Sequence, residues 1–170
     1  MPSGVGELWV ETWVRFSANF TTAAPAGWGC LSNPDYKMLF VRYSKSSRAD
    51  LQPGTYGNSW TFGIGSDPQG NGGSPAGTIP GLPWDGQWHQ YRLHVMFDRV
   101  GGAGHYTAGD LWIDGVLKKQ FPGVADAASV FGTMYGLALG RNMNQGPDHL
   151  ISVWWGMIRV YDADPGWGKR

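Results

Sequence analysis

The stretch Trp88–Phe97, WHQYRLHVMF, carries side chains that are well suited to chemistry. Its alternation of apolar and polar residues predicts a β-strand with Leu93 inward and Gln90, Arg92 and His94 on the opposite face. An arginine and a histidine two residues apart on one strand face can bind a carboxylate and transfer a proton. The stretch therefore predicts one chemically capable face of a β-sheet.

The opening stretch Glu7–Phe16, ELWVETWVRF, has the same division into two faces. The apolar parity consists of Leu8, Val10, Val14 and Phe16. The opposite parity places aromatic rings between charged groups: Trp9, Glu11, Trp13 and Arg15. Aromatic rings stack on the C–H faces of sugars, and planar charged groups bind hydroxyls or carboxylates. This second face therefore combines the two kinds of group that sugar recognition needs.

The closing stretch ISVWWGMIRVYD is apolar on both parities, which is unusual for a half-buried strand. We predict that Ile158 and Val160 lie in the core. Four residues of the other parity are expected on the polar face: Trp155, Met157, Arg159 and Tyr161. Either a ligand covers that face, or a loop or a neighbouring subunit buries it.

Composition indicates an all-β fold, because 27 glycines, 11 prolines and 10 tryptophans accompany only 15% charged residues. Residues 1–170 fit a single domain. Asp114-Gly115 predicts a hairpin turn, residues 66–87 predict a long irregular Gly/Pro-rich loop, and residues 124–131 suit a short helix. We expect seven or eight strands in a two-sheet antiparallel β-sandwich of jelly-roll type.

The order PWDGQWHQYRLHV, GDLWIDGVL and GMIRVYD resembles the concanavalin A-like jelly rolls of lectins, glucanases and laminin-G-like domains. The opening ELWVETWVRFSANF is similar to the polysaccharide-lyase-like subset. This resemblance implies a glycan site on the concave sheet. The residues expected to bind there are Trp9, Glu11, Trp13, Arg15, Gln90, Arg92, His94, Trp155, Arg159 and Tyr161.

A lyase needs a group that neutralises the substrate carboxylate, a base and an acid. Arg92, His94 and Tyr161 are chemically able to fill those roles. However, a Gln-Ile-His triplet is absent, and the closing strand has Trp155, Gly156 and Met157 where such strands commonly carry acidic residues. The paired carboxylates that a glycosidase needs are also missing.

Charge and metal chemistry exclude several classes of protein. Thirteen basic and thirteen acidic residues give zero formal charge, which argues against a nucleic-acid partner. The histidines and Cys30 lack zinc-ligand spacing, so no metal or cofactor is expected. Calcium occurs in some relatives of this fold, but the aspartates expected in loops form no calcium pattern: Asp67, Asp85, Asp98 and Asp110.

We therefore predict a non-catalytic glycan-binding or adhesive module that is part of a homo-oligomer or larger assembly. One alternative is a structural surface or decoration subunit of a virus particle, and another is a polysaccharide lyase acting on acidic polysaccharide. We expect no signal peptide and no membrane span. The localisation stays open, with the cell exterior and the virion surface as the placements these roles imply.

Overall fold

The computed structural model describes residues 7–18, 38–42, 47–53, 59–66, 75–80, 85–101, 104–125, 136–139 and 152–167. Ten β-strands occupy most of these residues. They are β1 (Glu7–Phe16), β2 (Leu39–Arg42), β3 (Ser47–Pro53), β4 (Ser59–Ser66), β5 (Pro75–Pro80), β6 (Trp88–Gly101), β7 (Gly104–Ile113), β8 (Val116–Ala125), β9 (Gly136–Leu139) and β10 (Val153–Tyr161).

The strands form two antiparallel sheets of five, in the orders β10-β1-β6-β7-β8 and β5-β4-β3-β2-β9. In the first sheet β1 lies between β6 and β10, so Glu11 is opposite Arg92 on one side and Arg159 on the other. The sheet thus joins residues that are far apart in the sequence. The predicted all-β fold is confirmed, whereas a single domain over residues 1–170 stays a prediction.

One face of the first sheet forms an apolar core. Its side chains are at most 2% exposed: Leu8, Val10, Val14, Phe16, Tyr91, Leu93, Val95, Leu111 and Ile113. Burial of each such side chain contributes about 1.5–3 kcal/mol. A sheet face becomes this dry only when a second layer of structure covers it, as in a sandwich.

The turn between β7 and β8 is the predicted hairpin. Asp114 and Gly115 have φ values of 51° and 76°, the left-handed conformation that a two-residue type I′ turn requires at both positions. The Asp-Gly pair therefore forms the hairpin turn that the sequence predicts.

Two predictions about irregular segments need correction. Residues 66–87 are not a continuous loop, because Pro75–Pro80 forms β5. That strand lies at the edge of its sheet, where prolines are tolerated. Of the helix predicted for residues 124–131, the first two residues end β8, and the rest lie outside the described residues. Across the described ranges, no helix is long and apolar enough to cross a membrane.

A β-bulge divides the pairing of β1 with β10. Thr12 is opposite Ile158, but Val14 is opposite Trp155, so Gly156 and Met157 together face Trp13. An extra residue reverses the alternation of side chains beyond it. Before the bulge the even-numbered residues of β10 therefore lie on the same side of the sheet as Arg15, whereas after the bulge the odd-numbered residues lie on that side.

Because of the bulge, Trp155 lies on the opposite face of the sheet from the one predicted. This residue lies opposite the buried Val14 on the core side, while Trp154 lies opposite Arg15 on the other side. The prediction that grouped Trp155 with Tyr161 is wrong, because strict alternation does not pass through a bulge.

Burial in β10 also differs from the prediction. Ile158 and Val160 lie on the core side, opposite Thr12 and Val10. Each is nevertheless 42% exposed. β10 is the edge strand of its sheet, so a neighbouring strand covers it on one side only. Their predicted place in the buried core is therefore wrong.

Candidate functional site

The candidate site lies on the side of the first sheet opposite the apolar core, which we call the mixed face. Strand register brings side chains from four strands together there. They are Trp9, Glu11, Trp13 and Arg15 from β1, Trp88, Gln90, Arg92 and His94 from β6, Asp110 and Trp112 from β7, and Trp154, Arg159 and Tyr161 from β10.

Glu11 is the centre of a buried ionic network on this face. Its side chain is 4% exposed, and it accepts hydrogen bonds from Arg92 Nε at 2.8 Å and Arg159 Nη1 at 3.1 Å. Gln90 Nε2 donates a third bond at 3.1 Å. Two guanidinium groups share one carboxylate, so the cluster carries an excess positive charge. Arginine has five N–H donors, which leaves Arg92 with donors beyond the one given to Glu11.

His94 lies beside this network and is 5% exposed. Its Nδ1 lies 3.3 Å from Asp110 Oδ2, and its Nε2 lies 3.3 Å from Glu7 Oε2. The imidazole also stacks on Trp9, with ring centroids 3.6 Å apart and planes inclined by 10°. Carboxylates and an indole therefore determine the position of the ring on three sides.

Trp167 reaches the mixed face from the segment that follows β10. Asp164 Oδ1 accepts hydrogen bonds from the backbone N–H of Gly166 at 2.7 Å and of Trp167 at 3.2 Å. Gly166 has a φ of 92°, a conformation that favours glycine. This turn directs the Trp167 indole back onto the sheet, where Arg92 Cζ lies 4.9 Å from its ring centroid.

Trp167 forms one wall of a pocket of about 440 Å³, within the range of small-ligand sites. The lining residues are Trp9, Arg92, His94, Asp110, Trp112, Gly115, Leu117, Gln120 and Trp167. Trp167 meets Trp9 edge to face at 5.6 Å and Trp112 at 6.5 Å. The pocket therefore combines apolar ring surfaces with one guanidinium and one carboxylate.

Trp9 contributes a buried, unsatisfied indole N–H in addition to its place in the pocket wall. Trp9 is 5% exposed, and its Nε1 has no hydrogen-bond acceptor in the described structure. A buried donor without a partner costs about 1–3 kcal/mol. Since the nitrogen atom is sealed from solvent, a bound molecule does not reach it without a shift of the surrounding side chains.

The other end of the mixed face is open. Trp88 and Trp154 are 43% and 42% exposed. Arg15 is exposed as well, and its guanidinium carbon lies 4.7 Å from the centroid of the Trp154 ring. This end presents aromatic and cationic groups to solvent.

The structure places nine of the ten predicted binding residues on the mixed face, and Trp155 is the exception. Tyr161 lies beside the pocket, where its ring meets Trp167 edge to face at 5.7 Å. The binding roles themselves stay predictions.

Sequence reasoning missed several residues of the site: Asp110, Trp112, Gln120, Trp154 and Trp167. The alternation of GDLWIDG could have assigned Asp110 and Trp112 to one face. Trp154 was assigned to the wrong face, because the bulge changes which residues of β10 lie on the mixed face. No sequence signal places Trp167 here, because its position depends on a chain reversal after β10.

The structure also revises the expectation for aspartates. Asp98 and Asp110 belong to β6 and β7 rather than to loops, and Asp67 lies outside the described residues. In the described part of the chain, no three His, Cys, Asp or Glu side chains are grouped so that they could bind a metal ion.

A separate cluster connects the start of β6 to the hairpin turn. His89 Nδ1 lies 2.6 Å from Asp114 Oδ2, and Nε2 lies 3.1 Å from Asp85 Oδ1. Burial lowers the pKa of His89, but the two carboxylates outweigh burial, so the pKa is raised above 6.5. The pKa of Asp85 is lowered by the Gln87 backbone N–H and by His89.

Burial raises the pKa of Tyr91, which keeps that core phenol protonated.

Comparisons with known proteins identify the fold. No family model matches the chain, and no curated protein matches it. The structure of alginate lyase Aly36B matches with a TM-score of 0.64 and 11% identity, over 94% of this chain and 70% of that chain. Double variants of that enzyme, in complex with alginate tetrasaccharide and alginate trisaccharide, match with TM-scores of 0.63 at 10% and 11% identity. These two matches also cover 94% of this chain, and 70% and 71% of theirs. This chain therefore shares the overall fold of these lyases.

Proposed function

We propose that the chain binds a polysaccharide that carries carboxylate groups, and that the pocket walled by Trp9, Trp112 and Trp167 receives one of its sugar residues. The observation that supports this most is the pocket itself, which brings the Arg92 guanidinium together with three indole rings. Arg92 lines this pocket with donors that Glu11 does not use. Sugar hydroxyl and carboxylate oxygens are acceptors that suit these donors.

The aromatic walls support a saccharide as the ligand. Indole rings provide flat apolar surfaces that stack on the C–H faces of a sugar ring. Two of the solved structures that share the fold contain alginate oligosaccharides, which are chains of carboxylated sugars. A guanidinium beside aromatic rings suits such a ligand better than a neutral glucan, because it pairs with the carboxylate.

Eliminative cleavage is a second candidate function, and the comparisons favour it over purely non-catalytic binding, because the matched structures are alginate lyases. In such a reaction a base takes the C5 proton, a C4–C5 double bond forms, and the C4–O bond breaks. The departing oxygen then takes a proton. The uronate carboxylate must be neutralised for the C5 proton to be acidic enough.

The pocket suggests a division of these roles. Arg92 would bind the carboxylate, and Tyr161 would take the C5 proton and return it to the leaving oxygen. His94 would act as a positioning residue, because its two nitrogens already face the carboxylate oxygens of Asp110 and Glu7, each 3.3 Å away. These roles rest on position and chemistry together.

Calorimetric titration with alginate, glucuronan and a neutral glucan tests the binding proposal. We expect binding to the two acidic polymers only, and Trp112→Ala should weaken it about tenfold or more. Lys118→Ala removes an exposed cation from β8 and should leave the affinity unchanged. Equal binding of the neutral glucan, or no binding of either acidic polymer, would contradict the proposal.

The same mixtures test cleavage. Elimination creates unsaturated ends that absorb ultraviolet light, and we expect them with wild-type protein but not with Tyr161→Phe or His94→Ala. Binding without any absorbing ends in the wild type would leave the non-catalytic module as the function. Self-association and a virion decoration role stay predictions from the sequence.

A further inference from the structure

The open end of the mixed face contains a second group of aromatic side chains outside the pocket. Trp13 and Trp88 lie beside Gly156, and Trp154 lies two residues before it on β10. We call these three tryptophans together with Arg15 the aromatic platform. Strand pairing sets Arg15 directly opposite Trp88 on β6 and Trp154 on β10. An exposed guanidinium therefore lies between two exposed indoles.

Gly156 explains how these rings share the surface. A Cβ atom added at Gly156 would lie 3.1 Å from Trp13 Cβ and 3.4 Å from Trp88 Cζ3. The Trp88 ring therefore extends from β6 across β1 and lies close to the backbone of β10. A side chain at the bulge would push this ring away, so the glycine allows the platform to form.

The charge of Arg15 is available to a ligand. Among the described residues no carboxylate pairs with Arg15, and its guanidinium group lies over the Trp154 ring. This contrasts with Arg92 and Arg159, which both bind Glu11. A free guanidinium beside exposed rings has the composition that the pocket uses, without the buried counter-ion.

We propose that the aromatic platform is a second subsite for the same acidic polysaccharide chain. It would receive a carboxylated sugar on Arg15 and the adjacent Trp88 and Trp154 rings. This inference rests on the proposed function. Trp9 and Arg15 are six residues apart on one face of β1, a distance of about 20 Å. That distance is too long for a disaccharide, whereas a chain of several sugars can cover it.

Titration calorimetry with acidic oligosaccharides of increasing length tests the subsite. Arg15→Ala and Trp154→Ala should each weaken binding of an alginate octasaccharide about tenfold and leave binding of the disaccharide unchanged. Trp112→Ala, in the pocket, should weaken binding of both. Gly156→Val, which displaces Trp13 and Trp88, should reproduce the length-dependent loss. Lys118→Ala is the control for an exposed cation, and thermal unfolding checks that each variant is folded.

The outcomes separate the subsite from the pocket. If Arg15→Ala and Trp154→Ala bind the octasaccharide as the wild type does, while Trp112→Ala weakens it, the platform is not a subsite and the proposed function stands. The same conclusion follows if Trp154→Ala only converts a dimer into monomers during sedimentation, because a second protein copy would then be the occupant. If the wild type binds neither oligosaccharide, both the proposed function and the subsite are overturned.

Discussion

The two ends of the mixed face use the same residue types in different ways. At the pocket, Arg92 and Arg159 share the buried Glu11, and Trp9 is 5% exposed. At the platform, Arg15 has no carboxylate partner among the described residues, and Trp154 is 42% exposed. One end is built like a protein interior, and the other like a surface.

This difference separates residues by what they contribute. Side chains in the pocket take part in packing and in a hydrogen-bonded ionic network, so they stabilise the fold as well as shape the site. The tryptophans of the platform contribute less to folding than those of the pocket, because about two fifths of Trp88 and Trp154 stays exposed to solvent. Substitutions at the two ends should therefore change stability and binding in different proportions.

The largest contrast is expected between two tryptophans. Trp9→Ala removes a buried indole that stacks on His94, and it should lower the free energy of unfolding by about 3–5 kcal/mol. Trp154→Ala should lower it by about 1 kcal/mol, because this ring is only partly buried. Urea unfolding followed by circular dichroism measures both. Similar losses in the two variants would show that the platform is also part of the folded core.

The next largest effect concerns the two ionic environments. Glu11→Gln keeps the shape of the side chain but removes the charge that neutralises Arg92 and Arg159. We expect a loss of about 2–3 kcal/mol, below the usual cost for a fully buried pair, because Arg159 is half exposed. Arg15→Gln is the matched control and should be nearly neutral in the same unfolding assay. A neutral result for Glu11→Gln would mean that the network serves the ligand alone.

The smallest effect is expected from pH at the start of β6, the segment that carries Trp88. His89 has a folded-state pKa raised above its unfolded value of 6.5, so its pairing with Asp85 and Asp114 stabilises the fold fully below that value. This contribution is lost as the pH rises through the folded-state pKa. Since the aspartates are half exposed, it should be at most about 1 kcal/mol.

His89→Gln provides the comparison for that pH dependence. The wild type should be more stable than the variant at mildly acidic pH, and the difference should shrink in mildly alkaline solution. Urea unfolding of both proteins across this range measures it, and hydrogen exchange at the Gln90 amide, which donates to Asp114, reports on the segment directly. A constant difference between the two proteins would contradict a titrating His89.

Much of the first sheet could be predicted from residue patterns. The alternation in β1 and β6 assigns their faces correctly, because these strands run side by side with continuous register. The Asp114-Gly115 turn was also predictable, since few residue pairs adopt left-handed φ at two consecutive positions. Strand β5 was not, because its prolines indicate loop unless the strand is known to lie at an edge.

The site was predicted less completely than the fold. Arg92, His94 and Glu11 follow from parity, since their strands are regular. Trp154 could not be found, because the bulge at Gly156 reverses the parity that sequence reasoning extends along β10. Trp112 was within reach of the same alternation argument.

The sequence by itself determined the all-β class, the two faces of β1 and β6, and the surplus of tryptophan on the mixed face. Those features depend on local alternation, which each strand carries in its own residues. Only the tertiary structure decided that β10 is an edge strand and that Trp167 returns to the pocket. Both depend on contacts between distant segments, and so does the contrast between the enclosed pocket and the open platform.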